Sequence, residues 1–125
     1  MSMIHGTGID IIEISRIEAA IERWGEDFLR HVFTNEEIDY ARKHRYPAQH
    51  FAARFAAKEA VLKAFGDNAH ISWKDIQIRN DRNGKPECLY RPSGAAAQRK
   101  KFNKKVLISI SHTKNYAVAS AIITS

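Results

Sequence analysis

The chain has 125 residues, 44% of them hydrophobic, with six Gly and three Pro; that suffices for one globular domain, residues 1–125, and is too little for two. Twenty Lys and Arg against fourteen Asp and Glu leave a net charge of +6 and an isoelectric point near 9.6, which favours an anionic partner (nucleic acid, phosphorylated metabolite, membrane or acidic protein) without choosing among them. The single Cys88 excludes an internal disulfide framework and a multi-cysteine zinc site, points to a reducing compartment and reads as a packing residue. The first residues lack a basic segment followed by an apolar core, and no apolar run approaches bilayer-spanning length, so a cytosolic location is expected.

In chain order, the β-branched run Ile9 to Ile14, preceded by Gly6 and Gly8, predicts a short buried strand running straight into a helix. Ser15 and Glu18 have the spacing of a capping box, which predicts a helix to about Trp24, ended by Gly25. Thr34 and Glu37 repeat the pattern and open a second helix to about His44, stopped before Pro47. A long helix is expected from about Ala48 to Phe65, with Gly66 at its C-terminus. The period then changes to two: Ile76 and Ile78 alternate with polar residues, 80–84 form a turn, and Pro86 to Tyr90 return as a partner strand. Ser93 to Phe102 reads as a short helix with Arg99, Lys100 and Lys101 in its last turn. Val106 to Ser111 and Tyr116 to Ile123 complete the set as two strands joined at 112–115. Helices and strands mix without regular βαβ alternation, so the class is α+β, a largely antiparallel sheet packed with a long central helix.

Chemistry concentrates in that central helix. Phe51, Phe55, Leu62 and Phe65 fall on one arc; Lys58 lies inside it, while Glu59 and Lys63, four apart, share its edge. Charge set against an apolar stripe is costly unless something opposite satisfies it. An ordinary surface pair belongs on the other, alanine-rich face, so Glu59 and Lys63 read as pointing into a cleft where metal and phosphate meet. Asp10 is a second acid, on the strand face of Ile12. Alone it could cap a turn; with Glu59 it would suffice for a hard cation such as Mg²⁺, which takes one or two carboxylates, waters and phosphate oxygens. Arg54, Lys58 and Lys63 read either as a solvated face or as charges that neutralise a diphosphate. Ser109, Ser111 and His112 end a strand with groups able to donate to phosphate oxygens, and no nucleophile elbow accompanies these serines. The turn containing Gly84, Lys85 and Pro86 is hairpin punctuation or a loop whose backbone approaches a flat ligand such as adenine.

Three segments, residues 6–17, 54–66 and 108–117 onward to the C-terminus, resemble the holo-acyl-carrier-protein synthases, the small bacterial type of 4′-phosphopantetheinyl transferase. The resemblance implies transfer of phosphopantetheine from coenzyme A to a serine of an apo acyl carrier protein in fatty acid biosynthesis, with Mg²⁺. It implies that Asp10 and Glu59 hold the metal, that Lys63 binds the diphosphate, that Arg54 and His112 contact the nucleotide phosphates, and that Gly84, Lys85 and Pro86 lie near the adenine. Lys58 matches the lysine preceding the metal glutamate. The larger two-lobed relatives carry a second acid where this chain has Ile12, so water should complete the metal shell. Glu59, directly or through a metal-bound water, is the preferred base for the carrier serine. The resemblance further implies a homotrimer with sites at subunit interfaces, which suits a chain this short. An acidic carrier protein would meet Arg16 and Arg23, seven apart on the first helix, beside Ile17, Ala20 and Trp24. Three rival readings are a nucleic-acid module, a structural oligomer with Asp10, Glu59 and Lys63 as a buried ionic cluster, and a metal-dependent phosphoesterase. The first is disfavoured because the basic residues form no stripe alternating with exposed aromatics, and neither nucleic acid nor membrane is an expected partner.

Overall fold

The computed structural model describes residues 3–66, 70–91 and 104–125. The elements run β1 (Ile4–Glu13), α1 (Ile14–Trp24), α2 (Glu26–Val32), α3 (Asn35–Arg42), α4 (Pro47–Phe65), a 3₁₀ turn (Trp73–Asp75), β2 (Ile76–Asn80), β3 (Pro86–Tyr90), β4 (Lys105–His112) and β5 (Tyr116–Thr124). The expected helix Ser93 to Phe102, with Arg99, Lys100 and Lys101, lies outside the described residues.

Two antiparallel sheets frame α4. One has the order β1-β5-β4, the other is the β2–β3 hairpin. Asp10 pairs with Ala119, which in turn faces Ile110; Ile12 pairs with Ala117, which faces His112. This register fixes which side chains share a level of the sheet. Gly6, Gly8, Asp10 and Ile12 face inward, and Thr7, Ile9, Ile11 and Glu13 face outward, following the period of two.

The alanine-rich face of α4 is the buried one. Ala53, Ala56, Ala57, Ala60 and Ala64 are at most 8% exposed, and the sheet lies directly on them. A Cβ at Gly8 would stand 1.9 Å from the Ala60 carbonyl oxygen, and one at Gly6 would stand 2.0 Å from that of Ala64. Only glycine in β1 and small residues in α4 permit so close an approach. The phenylalanine arc is buried on the opposite side, Phe51 against Phe33 and Phe55 against Trp73. The helix is therefore sandwiched, and its charges can escape only along two narrow flanks.

Some sequence expectations change in detail. β1 extends back to Ile4. Helix α1 begins at Ile14 without a side-chain cap, so Ser15 and Glu18 form no capping box; the Ile14 N–H donates instead to the Asn115 carbonyl at 2.8 Å, and sheet register sets the entry. Thr34 and Glu37 do form their box. Pro47 opens α4 rather than preceding it, as suits a residue with no N–H to leave unpaired. Gly25, at φ 56°, turns the chain directly into α2, a helix the pattern did not reveal.

Candidate functional site

Two ionic clusters leave α4 within one turn of each other. Lys58 is fully buried. Its ammonium lies 2.6 Å from Glu37 Oε1 and donates to the carbonyls of Val32 and Trp73, each at 2.9 Å, so all three N–H groups are used. Glu37 is equally buried and accepts from the backbone of Thr34 and Ile78 at 2.8 and 2.7 Å. Burial pulls the Lys58 pKa down and Glu37 pulls it back. This cage ties α2, α3, α4 and β2 together. It also corrects an expectation: Lys58 neither reaches water nor faces a phosphate site, because its donors are spent inside the core.

The second cluster is open. Lys63 Nζ lies 3.1 Å from Asp10 Oδ1 and donates to the Ile9 carbonyl at 3.0 Å; the Lys63 side chain is 55% exposed. Glu59 stands one turn before Lys63. Burial and then the Asp10 charge push the Glu59 pKa up, while Lys63 and the Trp73 indole pull it the other way. Asp10 and Glu59, close enough for the Asp10 charge to act on Glu59, form a donor pair suited to a hard divalent ion. Among the described residues no group of three or more His, Cys, Asp or Glu is placed to hold a metal ion, so the pair has no third protein ligand there.

Arg54 and His112 lie elsewhere. Strand β1 forms one edge of its sheet and β4 the other. Arg54 precedes Glu59 by five residues, roughly 140° around the helix, and is directed to the side of α3 and β2. There its guanidinium lies 3.9 Å over the Tyr40 ring. His112 faces the same flank, its ring 6.3 Å from that of His50. Ser111 projects from the sheet face away from α4, bordering a shallow groove with Ser109 and Ser120; it and His112 do not share a surface. Gly84, at φ 86°, sits in a turn where Asp81 Oδ1 accepts from Asn83 and Lys85 N–H at 2.8 and 3.0 Å. Lys85 and Pro86 border a cleft of about 480 Å³ between β3 and β4, also lined by Tyr90, Lys105 and Leu107. One chain thus brings Asp10, Glu59 and Lys63 together on the β1 flank, and sets Arg54 against α3 and β2, with His112 on β4 and the Lys85–Pro86 cleft between β3 and β4, away from that cluster.

On α1, Ile14 and Ile17 are buried while Arg16, Arg23 and Trp24 are exposed, with the Arg23 guanidinium 4.8 Å over the Trp24 ring and Ala20 half-buried beside them. Sequence reasoning missed Glu37 as a buried partner, and it missed His44, His50 and Trp73. The Thr34–Glu37 box was a visible signal for Glu37; the others needed the tertiary contacts.

Comparison with known proteins bears on this geometry. Residues 6–121 match the family model described as the 4′-phosphopantetheinyl transferase superfamily. A holo-[acyl-carrier-protein] synthase of Thermodesulfovibrio yellowstonii is 48% identical over 122 residues, covering 98% of this chain and all of its own. The corresponding protein of Protochlamydia amoebophila is 47% identical over 125 residues, with 98% and 100% covered. Among solved structures, the holo-(acyl-carrier-protein) synthase of Bacillus anthracis in complex with CoA (3′,5′-ADP) superposes with a TM-score of 0.81 at 36% identity, covering 98% of each chain. The Helicobacter pylori enzyme in complex with coenzyme A gives 0.78 at 29% identity, covering 94% of this chain and 98% of its own.

Proposed function

Because the chain belongs to the 4′-phosphopantetheinyl transferase superfamily, we propose that it transfers 4′-phosphopantetheine from coenzyme A to a serine of an apo acyl carrier protein, leaving adenosine 3′,5′-bisphosphate. The observation that carries this reading is the open cluster of Asp10, Glu59 and Lys63, drawn from β1 and α4 onto one flank.

Asp10 and Glu59 fit a divalent ion, and Mg²⁺ held by them would neutralise charge on the donor's diphosphate. Lys63, half exposed and resting on Asp10, can turn its ammonium toward the same diphosphate. The carrier serine must lose its proton as it attacks the β-phosphorus. Glu59 receives that proton; its partly buried carboxyl, beside Asp10, holds a proton more readily than an ordinary carboxylate. As the serine oxygen bonds to phosphorus, the bridging P–O bond breaks and its electron pair leaves on the nucleotide phosphate. Lys63 offsets the charge that grows there.

The opposite flank supplies the nucleotide groups: Arg54 and His112 for phosphate, and the Gly84–Pro86 turn beside the β3–β4 cleft for adenine. Helix α4 and its sheet stand between the two groups within one chain. A second copy that sets its β4 flank against the β1 flank of the first would complete the site, and we read the assembly as a homotrimer with three such interfaces. The outer sheet face supports this: Ile9 and Ile11 are each 65% exposed, Leu107 is 53% exposed, and Leu107 lies across from Ile122. An apolar sheet face of this extent suits burial against another copy. The exposed Arg16, Arg23 and Trp24 then meet the acidic carrier protein.

Intact-mass measurement of apo acyl carrier protein, after incubation with this protein, coenzyme A and Mg²⁺, tests donor, acceptor and reaction together. The carrier should gain one phosphopantetheine, and chelation of the metal should abolish the gain. An unmodified carrier would overturn the reading.

A further inference from the structure

Lys58 and Glu59 are consecutive in α4, and both meet the residue that opens the 3₁₀ turn. Lys58 Nζ donates to the Trp73 carbonyl at 2.9 Å, which pins the backbone there. The turn is tied on itself and to the chain beyond β3: the Ser72 N–H donates to Asp75 Oδ2 at 3.0 Å, the Asp75 N–H to the Ser72 carbonyl at 3.1 Å, and the Arg91 N–H to the Asp75 carbonyl at 2.7 Å. The indole is held as well as its backbone. It meets the His31 ring edge to face, with centroids 5.7 Å apart, and lies tilted against Phe55 at 6.0 Å.

Phe55 and Glu59 are four residues apart and therefore neighbours on one face of the helix. An indole resting on Phe55 flanks the Glu59 side chain. Its polar end is the unexplained part. The Trp73 Nε1–H is buried and has no acceptor at hydrogen-bond geometry, a state that costs free energy until an acceptor closes on it. The half-buried Glu59 carboxyl is near enough for this N–H to favour its ionised form.

We propose that Trp73 is a positioning residue for Glu59: its indole N–H takes one carboxylate oxygen and leaves the other directed to Asp10 and the open cleft. This role rests on the reading of Glu59 as metal ligand and base. A carboxylate on a flexible stem serves in either capacity only while its plane is held, and a hydrogen bond from a neighbouring group to a metal-binding carboxylate is worth about 10–100-fold in metal affinity or activity. A rigid indole supplies that bond from a ring already fixed by packing, so little freedom is lost when it forms. Lys58 then bears on the open cluster although its own ammonium is enclosed, because it holds the backbone from which the indole reaches Glu59.

Calorimetric titration of the whole protein with Mg²⁺, in the presence of coenzyme A, tests this. Trp73→Phe should weaken Mg²⁺ binding about tenfold. Site-specific replacement of Trp73 by 3-benzothienylalanine, which keeps the ring shape and puts sulfur where the N–H stands, should weaken it equally, with the melting temperature near wild type. At saturating Mg²⁺ both changes should lower kcat about tenfold and leave KM for coenzyme A unchanged, since orientation of Glu59 is what is lost. The chain has two tryptophans, and the indole ¹⁵N–¹H signal of Trp73, identified by its loss in Trp73→Phe, should shift in Glu59→Ala while that of the exposed Trp24 stays in place. Wild-type Mg²⁺ affinity in the benzothienyl protein, or a Trp73 signal unmoved by Glu59→Ala, would reduce Trp73 to a packing residue and overturn the proposal while leaving the reaction intact. A wild-type protein that binds no Mg²⁺ would overturn the reading of Glu59 as a ligand, and the role of Trp73 with it.

Discussion

Lys58 and Lys63 leave the same helix five residues apart, and each meets a carboxylate. Their surroundings nevertheless give them opposite uses. Lys58 sits at 0% exposure with three oxygen acceptors around one ammonium, and Glu37 beside it is matched by two backbone donors. Every polar atom has a partner, and no room is left for a ligand. Lys63 shares Asp10 with a neighbouring acid, Glu59, that no side-chain cation fully compensates, and half of Lys63 faces solvent. A saturated cluster holds elements together. An unsaturated one beside solvent is where a metal and a diphosphate can be received.

Substitutions on the two sides should separate these uses. Glu59→Gln keeps shape and removes the proposed base: carrier modification should slow by roughly 10²–10⁴-fold, with the melting temperature unchanged or raised because Asp10 loses a like-charged neighbour. Normal turnover in single-turnover mass analysis would remove Glu59 from the reaction. Lys58→Met should do the reverse. Leaving Glu37 buried without its cation should cost about 3–5 kcal/mol of stability, read as a fall in melting temperature, and a Lys58→Met, Glu37→Gln double variant should recover part of it. Lys63→Met sharpens the contrast, since an exposed pair contributes about 0–1 kcal/mol; its melting curve should stay near wild type while its turnover falls.

Smaller effects probe the other flank and the carrier surface. His50 binds a proton less readily when folded, about 4 against an ordinary 6.5. The unfolded chain therefore takes up protons first, and stability present above pH 6.5 is lost as pH falls toward 4. His50→Phe should flatten that part of the pH profile of thermal melting. Arg16→Glu should weaken carrier binding by about 1 kcal/mol, some fivefold, with coenzyme A affinity unaltered; an equal loss of both in titration would place Arg16 elsewhere.

Much of this architecture was legible along the chain, because it depends on local preferences. The Thr34–Glu37 box, the period-two strands, the turn at Gly84 and the span of α4 follow from backbone geometry and side-chain reach within a few residues. Helix α2 and the entry to α1 were not legible. Helix α2 is seven residues long, too short for a clear period, and α1 takes its first anchor from Asn115, a residue about a hundred positions away. The pairing of Asp10 with Glu59 was legible only through family resemblance, since spacing along the chain says nothing about convergence.

The sequence by itself determined which residue types this helix offers: one acid, two lysines, an arginine and a histidine between alanine and phenylalanine faces, with glycines in β1 small enough to let a sheet close on it. Only the tertiary structure decided which of those charges are enclosed and which are presented. Lys58 and Glu59 are neighbours in sequence, yet one points into the α3–β2 core and the other toward β1. A helix turns each successive residue through roughly 100°, and what waits at each angle is set by elements distant in the chain.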